Sequence, residues 1–494
     1  MTSVLGFVSD SNDIAVGDLR LTEVSGYQEL SRPYELELTF YSDLQTGLDA
    51  TRVDALLTSN CSIDLSPSQN QPVHGILKSL TLLPYTGTKV SYRGVFVPRL
   101  WRLTLTRASR VFQNASVPAI VIAILRMHGL KPHVDFDANF QATTFEPLAY
   151  CVQYEESDFA FISRLLERHG LFYFFQQTST HEKIVLTDHN GSLPLLPTLT
   201  GSTAGTPTRA LSHSSLQTST EHDDQLWDIH ITRRVASREV RVRSYRPAAF
   251  HPHVGKYSVD STIGYGAIRD YAAASENNET ITKLAKVRAQ AARVRGETME
   301  ATTSAIGLQA GTRFDLGNHP LPDPNDSYYV LSVRTEVSLS GPGYSNPKLL
   351  RQQIEAVPQS IPFRAEARTP WPKVDGIVHA TVDGEAFGAP APIDDDGSYR
   401  LVLPYDAMSA AGGHATRPIK RAQPSAGAES GTHFPLQIGT EVVLSHVDGD
   451  PDRPIILGAV PNQFSDSPVT KAEATKSRIK TRSGVLFEID DHTG

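Results

Sequence analysis

The sequence predicts a mainly β protein with inserted helices, an α+β chain with a duplicated β-barrel of two barrel-like halves, a small OB-fold-like barrel and a strand-forming tail. Short runs that alternate apolar and polar residues fill the first 110 or so residues and return after about residue 225. A sheet pattern followed by a strong helix occurs twice. Because the chain has 494 residues, far more than one compact core holds, about three domains are expected.

The opening region has the alternation of an antiparallel sheet. In residues 34–40 the side chains of Tyr34, Leu36, Leu38 and Phe40 share one face. Such a strand has one buried and one solvated side, which favours a β-barrel or sandwich. Further strands are predicted at 62–65, 75–80 and 100–105.

Two helices follow in the first half. The first begins around Asn114 or Ser116, has Pro118 in its first turn and ends before Gly129. Its apolar stripe is Ile120, Ile124 and Met127. The second begins after a capping Ser157 and ends before Gly170, and a strand at 171–175 follows at once. Its apolar face is Phe159, Ile162, Leu165 and Leu166.

The second half repeats this arrangement. Residues 190–220 have the composition of a surface connection, and strands are predicted at 228–231 and 239–243. A helix from about Ser275 to Arg295 then ends before Gly296. Its predicted inward residues are Ile281, Leu284, Val287, Ala291 and Val294.

The last third differs in pattern. A Pro-punctuated linker at 358–372 precedes about five short strands in residues 373–465, which suits a small barrel such as an OB-fold. The tail then alternates with a period of two in a segment with no obvious partner in its own chain, which predicts pairing with other copies. One face holds Ile479, Thr481, Ser483, Val485, Phe487 and Ile489, and the other Lys480, Arg482, Leu486, Glu488 and Asp490.

Composition narrows the partners and the compartment. The formal net charge is -8, which offers no electrostatic footprint for nucleic acid or an anionic membrane surface. Cys61 and Cys151 supply neither a disulfide framework nor metal-ligand spacing and are expected to be buried thiols. The start has neither a basic region nor an apolar region of the kind found in signal peptides, so we expect no signal peptide. No stretch approaches 18 uninterrupted apolar residues, so we expect no membrane span.

Five extended runs of the sequence are specific enough to indicate a family. Residues 30–34, 110–114 and 152–170 lie in the first half, and residues 433–442 and 448–462 lie in the small barrel. These runs resemble the VgrG spike proteins of type VI secretion systems and the related phage baseplate hub and tail-spike proteins. The first three look like the hub domain of that family, and the last two match its most distinctive run. The similarity covers nearly the whole chain in order.

The resemblance implies a homotrimer. Three hub domains (1–365) would form a ring whose duplicated halves imitate sixfold symmetry and dock on a hexameric, Hcp-like tube protein. An OB-fold-like domain (366–465) and the start of a triple-stranded β-helix stalk (466–494) would follow. The implied partners are a PAAR-like tip protein, baseplate proteins and effectors, and the chain would be made in the cytoplasm and exported on contraction.

Two departures from the family pattern stand out. Residues 394–406 fit the usual basic, Phe-Pro-Trp-containing barrel segment only loosely, which suggests a divergent branch. The sequence also stops at Gly494, where the long stalk of family members would begin. A blunt spike and a truncated chain both remain open.

Candidate sites have plain structural alternatives. At 449–454 a tight turn is favoured over a carboxylate metal site, and Asp448 and Asp450 are expected at solvent. At 221–224 a solvated run of charged residues is favoured over an ion-binding cluster. The basic helix ending at Arg295 is read as an exposed helix, and the run 264–266 lacks the third glycine of a dinucleotide loop. Residues 371–465 hold six Lys or Arg against twelve Asp or Glu, which disfavours nucleic-acid binding.

No enzyme motif occurs, so no catalytic residue and no cofactor are assigned. A speculative axial metal ligand is His492, because one histidine near a threefold axis supplies three nitrogen ligands. The favoured function is a mechanical spike that caps the tube, carries tip or effector proteins and punctures a target membrane. A phage tail hub, a spike-linked cell-wall hydrolase and a carbohydrate-binding module are the alternatives.

Overall fold

The chain is described by a computed structural model over most of its length. The described residues are 6–9, 19–42, 47–64, 72–85, 87, 89–197, 210–215, 224–244, 253–258, 264–272, 278–338, 349–408 and 412–492. Among them are the helices α1 (Ala50–Thr58), α2 (Val117–Met127), α3 (Asp158–His169) and α4 (Asn278–Val294). Short 3-10 helices lie at Arg99–Thr104, Asn190–Ser192, Val447–Gly449 and Lys471–Glu473.

Strands dominate the fold. Before residue 190 they are β1 (Gly6–Ser9), β2 (Leu19–Glu29), β3 (Glu35–Ser42), β4 (Cys61–Asp64), β5 (Pro72–Leu82), β6 (Val90–Val97), β7 (Arg107–Ala115), β8 (Phe136–Asn139), β9 (Leu148–Ser157), β10 (Phe172–Gln177) and β11 (Glu182–Thr187). Up to residue 358 they are β12 (Ala210–His213), β13 (Gln225–Arg233), β14 (Glu239–Ser244), β15 (His253–Ser258), β16 (Ala267–Ala272), β17 (Glu297–Thr303), β18 (Arg313–Gly317), β19 (Ser327–Ser338) and β20 (Leu349–Pro358). The remaining strands are β21 (Val378–Val382), β22 (Leu401–Val402), β23 (Ala426–Gly427), β24 (Ser430–Gly431), β25 (Glu441–His446), β26 (Pro454–Ala459), β27 (Lys476–Lys480) and β28 (Leu486–Asp490).

The chain forms two compact units, and its path passes five times from one to the other. The first contains Met1–Thr106, Val117–Glu146 and Ser157–Pro370, and the second contains Arg107–Ser116, Pro147–Glu156 and Trp371–Gly494. The second unit is therefore built from three separate stretches of sequence. The division into domains at 365 and 465 stays a prediction.

Two six-stranded halves form the main sheet of the first unit. One half runs in the order β1-β4-β5-β6-β3-β2, and β2 joins it to β19. The other runs β19-β18-β12-β13-β17-β20, and because β20 also pairs with β19 it closes into a barrel. The barrel interior is apolar, with Leu226, Met299, Phe314, Val333 and Ile354 all buried. The predicted duplication of a β-rich hub is confirmed.

Each half carries an inserted layer. In the first half α2 and α3 accompany the small sheet β10-β11-β8. In the second, α4 packs against the sheet β15-β14-β16 through a core of Val240, Val242, Ile281, Ala285 and Ala289. Ala285 and Ala289 are the fully buried helix residues beside Ile281, and the predicted Leu284 packs against this core while only partly buried. Val294 is buried as predicted, and Val287 and Ala291 are half-buried.

The sequence predictions hold for most elements and fail at identifiable places. Ser157 caps α3 by accepting the Ala160 N–H at 3.1 Å, and Gly170 ends that helix at φ +72°. Residues 100–105, predicted as a strand, instead form a 3-10 helix because Leu100 and Leu103, three apart, are both buried. Met127, predicted inward, is 48% exposed at the end of α2.

The second unit contains a four-stranded sheet, β22-β21-β25-β26, and the ribbon β7-β9. Its apolar core includes Val382, Tyr399, Leu401, Val442 and Ile456. These residues alternate along their strands, as the predicted small barrel requires.

Side chains of the barrel hold the ribbon through its backbone. The Val152 N–H donates to Asp452 Oδ1 at 2.6 Å, and the Val111 N–H donates to Asp406 Oδ1 at 3.2 Å. Because these partners lie about 300 positions apart in sequence, no local pattern could have revealed them.

The tail is a hairpin rather than one long strand. β27 and β28 pair antiparallel, with Ile479 opposite Phe487, and the turn between them has Gly484 at φ +92°. The Thr481 N–H donates to the Val485 carbonyl at 2.9 Å and closes the turn. The expectation that this segment has no pairing partner in its own chain is therefore wrong, because β27 and β28 pair with each other.

Candidate functional site

The terminal hairpin has one apolar face that lies open. Ile479, Phe487 and Ile489 share this face, and they are 47%, 61% and 50% exposed. Ile489 stands opposite Ser477, so the cluster extends over two adjacent cross-strand positions. An exposed contiguous apolar surface on a two-stranded ribbon is typical of an association site.

The opposite face of the hairpin is held by ion pairs. Lys476 Nζ lies 2.9 Å from Glu488 Oε1, and Arg478 contacts both Glu488 at 2.5 Å and Glu473 at 2.7 Å. The hydrogen bond from Lys476, and after it that from Arg478, lowers the pKa of the Glu488 carboxyl. The two faces thus differ in kind, one paired internally and the other apolar.

His492, the speculative axial ligand, is exposed just beyond the hairpin. Its backbone N–H donates to Asp490 Oδ1 at 3.1 Å. Within the described residues no three His, Cys, Asp or Glu side chains form a metal-binding group. A threefold site would take its ligands from three chains, so the His492 hypothesis stays a prediction.

The turn at 448–452 organises backbone, and one of its acids is not where the sequence predicts. Asp448 is exposed, with Arg453 Nη1 at 3.4 Å. Asp450, predicted at solvent, is only 7% exposed because its Oδ1 accepts the Trp371 Nε1–H at 3.2 Å and the Asp452 N–H at 3.0 Å. The carboxylate therefore connects the turn to Trp371, the first residue of the last stretch of the second unit.

The other predicted candidates stay apart. Glu221, His222 and Asp223 lie outside the described residues, and the backbone carbonyl of Asp224 accepts the Ser212 N–H at 2.8 Å. On α4, Lys283 pairs with Glu279 at 2.9 Å, as on an exposed helix. In the run 264–266, Tyr265 is 84% exposed and its N–H donates to the Ala236 carbonyl at 3.0 Å.

One Ser-His-Asp grouping, at Asp188, His189 and Ser192, was not noticed in the sequence. Ser192 Oγ lies 3.1 Å from His189 Nδ1, and Asp188 Oδ1 lies 3.3 Å from the same nitrogen. A catalytic base needs the acid on one ring nitrogen and the nucleophile on the other. Ser192 Oγ lies closest to Nδ1, the nitrogen that Asp188 also contacts, and its distance to Nε2 is 3.4 Å. Because the shortest contacts of the acid and the hydroxyl fall on the same nitrogen, the geometry is that of a hydrogen-bonded turn.

Among the described helices, none has both the length and the apolar character needed to span a bilayer. Cys61 and Cys151 are buried thiols that are not joined in a disulfide, as predicted.

Comparison with known proteins assigns the fold. Residues 27–341 match the family model described as the phage tail baseplate hub. This chain belongs to that family. Residues 397–460 also match the type VI secretion system and phage-baseplate injector OB domain, which confirms the predicted OB-fold.

Relatives of this hub-family chain include named spike proteins. It is 28% identical over 475 residues to the type VI secretion system spike protein VgrG1b of Pseudomonas aeruginosa, and 29% identical over 490 residues to VgrG1c of that organism. These matches cover 94% of this chain but 62% and 63% of the relatives, so the chain spans less than two thirds of their length. The actin cross-linking toxin VgrG1 of Vibrio cholerae is 28% identical over 84% of this chain and 37% of its own.

Solved structures share the fold. The E. coli c3393 protein, described as a type VI secretion component similar to phage tail proteins gp27 and gp5, superposes with a TM-score of 0.65 at 19% identity. The match covers 92% of this chain and 99% of that one. The Francisella PdpA-VgrG complex gives 0.61 at 11% identity, covering 99% of this chain and 83% of that one.

Proposed function

We propose that this chain forms the hub and upper stalk of a trimeric spike in a contractile injection machine of the type VI secretion kind. The observation that carries the proposal is the hub-family match over residues 27–341, which covers most of the two six-stranded halves. Two similar halves in each of three chains would give a ring with six similar faces, which suits a hexameric tube.

The terminal hairpin supports association of three copies. Its open face of Ile479, Phe487 and Ile489 would be buried if three tails packed around a common axis. Burial of apolar area is favourable by about 25 cal/mol per Å². The ion-paired face would remain toward solvent, where charged residues cost little.

The spike would act through packing and motion rather than catalysis. It would cap a tube of Hcp-like protein, carry a PAAR-like tip and effectors, and cross a target membrane when the sheath contracts. We place the chain in the cytoplasm before assembly and outside the producing cell after contraction. The names of the spike-protein relatives support this mechanical role.

A phage tail hub is the second candidate, favoured by the description of the family model itself. Genes for sheath, tube and a membrane-anchored baseplate complex beside this gene would support the secretion machine, and capsid genes would support the phage. A wall-degrading activity is the third. Release of peptidoglycan fragments by the purified protein, abolished by one acidic substitution, would replace the mechanical reading.

Solution mass by light scattering at two concentrations tests the trimer. The expected mass is three times 54.0 kDa. Phe487→Ser should shift the mass toward the monomer, because it removes the largest side chain of the apolar face. Lys480→Ser, on the other face of the hairpin, serves as the control and should leave the trimer intact. A stable monomer of the unmodified protein would contradict the proposal.

A further inference from the structure

A cavity of about 670 Å³ lies within the first unit, between α4 and the segment 361–368. Its volume falls within the range of about 300 to 1,000 Å³ that small-molecule sites occupy. The apolar side is built from buried core side chains. These are Leu30, Val294, Leu331, Phe363 and Ala365.

Five arginines line the other side, and four of them have carboxylate partners. Arg288 contacts Asp270 at 2.6 Å and Arg32 contacts Glu167 at 3.3 Å. Arg295 pairs with Glu29 and Glu355, and Arg368 pairs with Glu29 and Glu366. The charges of these four guanidinium groups are compensated within the protein.

Arg364 differs from the other four. Its Nη1 donates to the carbonyl oxygens of Asp188 and Phe363, both at 2.8 Å, and no ion pair joins it to a carboxylate among the described residues. The Nε atom of Arg364 is buried and has no hydrogen-bond partner among the described residues. Burial lowers the pKa of Arg364, although the charge of Asp188 acts against this shift. The cavity therefore contains a partly desolvated cation that only neutral oxygens contact.

We propose that this cavity binds a carboxylate carried on an apolar body, with the carboxylate on Arg364 and the body over Phe363 and Leu331. Guanidinium groups bind carboxylates by charge-assisted hydrogen bonds, and the apolar wall favours a hydrocarbon body over a free ion. The carboxylate could belong to a peptide chain end or to a free amphiphilic acid. The proposal is independent of the spike function, which requires no such ligand.

The test is a titration of the full chain, followed by ligand-observed NMR, with three probes. These are N-acetyl-dileucine with a free carboxylate, the same peptide as its C-terminal amide, and octanoate. The free acid should bind at least tenfold more tightly than the amide, the difference that one hydrogen bond to a charged group confers. Octanoate binding without peptide binding would identify a free amphiphile as the source.

Arg364→Gln should abolish the preference for the carboxylate. Arg421→Gln is a matched control, because Arg421 also donates to a carbonyl oxygen, that of Phe434, and also has a buried Nε without a partner among the described residues. Arg421 belongs to the second unit and does not line the cavity. Arg421→Gln should therefore leave the preference for the carboxylate unchanged.

A second variant guards against loss of folding in Arg364→Gln. Ala292 is exposed and lines the cavity, so Ala292→Trp should fill it without disturbing the core. Loss of carboxylate binding in Ala292→Trp, with unchanged circular dichroism, supports the site. Equal binding of acid and amide, binding that survives both cavity variants, or no binding of any probe at 5 mM overturns it.

Discussion

Buried carboxylates in this protein bind backbone N–H groups. Asp383 accepts the N–H groups of Gly412, Gly413 and Ala415 at 2.9 to 3.0 Å. Burial raises the pKa of the Asp383 carboxyl, but these hydrogen bonds outweigh it and hold the pKa below its ordinary value. Asp450 and Asp452 act in the same way in the turn of the barrel. Acidic residues that resemble metal ligands in the sequence here stabilise loops by accepting backbone N–H groups.

His169 should make the hub unit sensitive to acid. Burial, and after it the charge of Arg168, lowers the pKa of His169 to about 3. Below the unfolded pKa of about 6.5 the unfolded chain binds a proton that the folded chain does not, so stability falls as the pH drops from about 6.5 toward about 3. His169→Gln should remove about 1 to 2 kcal/mol of the loss between pH 7 and pH 5.

Urea unfolding at the two pH values measures this effect. The exposed His414 offers a control, since His414→Gln should leave the pH dependence as it is. An unchanged acid sensitivity in His169→Gln would show that other groups cause it.

Asp452 should determine how firmly the ribbon is held. Asp452→Ala would remove the hydrogen bond that the Val152 N–H donates to Asp452 Oδ1, at a cost of about 1 to 3 kcal/mol. Hydrogen exchange of residues 148–157, followed by mass spectrometry, should accelerate accordingly. Asp448→Ala removes an exposed acid of the same turn and should change exchange by less than threefold. Equal protection in both variants would refute the anchoring role.

At the scale of elements, patterns that are local in sequence were predictable and long-range ones were not. Strand β3 and helix α3 follow directly from alternation and from their capping residues, Ser157 and Gly170. The hairpin turn at Gly484 was missed because the period of two continues through it. The 3-10 helix at Arg99–Thr104 was missed because the run contains both a leucine pair two apart, Leu103 and Leu105, and a leucine pair three apart, Leu100 and Leu103.

Substitution of the two glycines that end α2 and α3 distinguishes the cost of a left-handed backbone from the cost of steric crowding. Gly129 and Gly170 have φ of +77° and +72°, but an added Cβ meets nothing within 4 Å at Gly129 and lies 2.6 Å from Val287 Cγ2 at Gly170. Gly129→Ala should cost about 1 kcal/mol, the usual left-handed penalty. Gly170→Ala should cost at least about 1 kcal/mol more, since overpacking adds to it. Equal losses of stability in the two variants, measured by thermal unfolding, would show that the surroundings of Gly170 move to make room for the added methyl group.

For the whole molecule, the fold could be predicted in outline, but the stretches of sequence that make up each of the two compact units could not. The duplicated hub and the OB-fold have recognisable patterns, and the comparisons confirm both. The ribbon β7-β9 belongs by packing to the second unit, although its strands lie amid hub sequence. The cavity around Arg364 was also missed, because its walls come from five separate stretches of the chain.

Oligomerisation should appear in the thermal stability of the whole molecule. If three tails pack together, the melting temperature rises with protein concentration, because association stabilises only the folded form. Deletion of residues 476–492 should reduce this rise. Differential scanning calorimetry over a hundredfold concentration range would detect it. A melting temperature independent of concentration would count against a trimer held by its tails.

The five passages of the chain between its units bear on how such a protein can change during evolution. Recombination that replaced everything after Pro370 would bring in a new barrel but keep the old ribbon, encoded more than 200 residues upstream. The incoming barrel would then need acids at the positions of Asp406 and Asp452 to hold it. Exchange of the barrel is therefore restricted to donors with compatible ribbons, whereas the tail beyond the barrel can be exchanged with a single crossover.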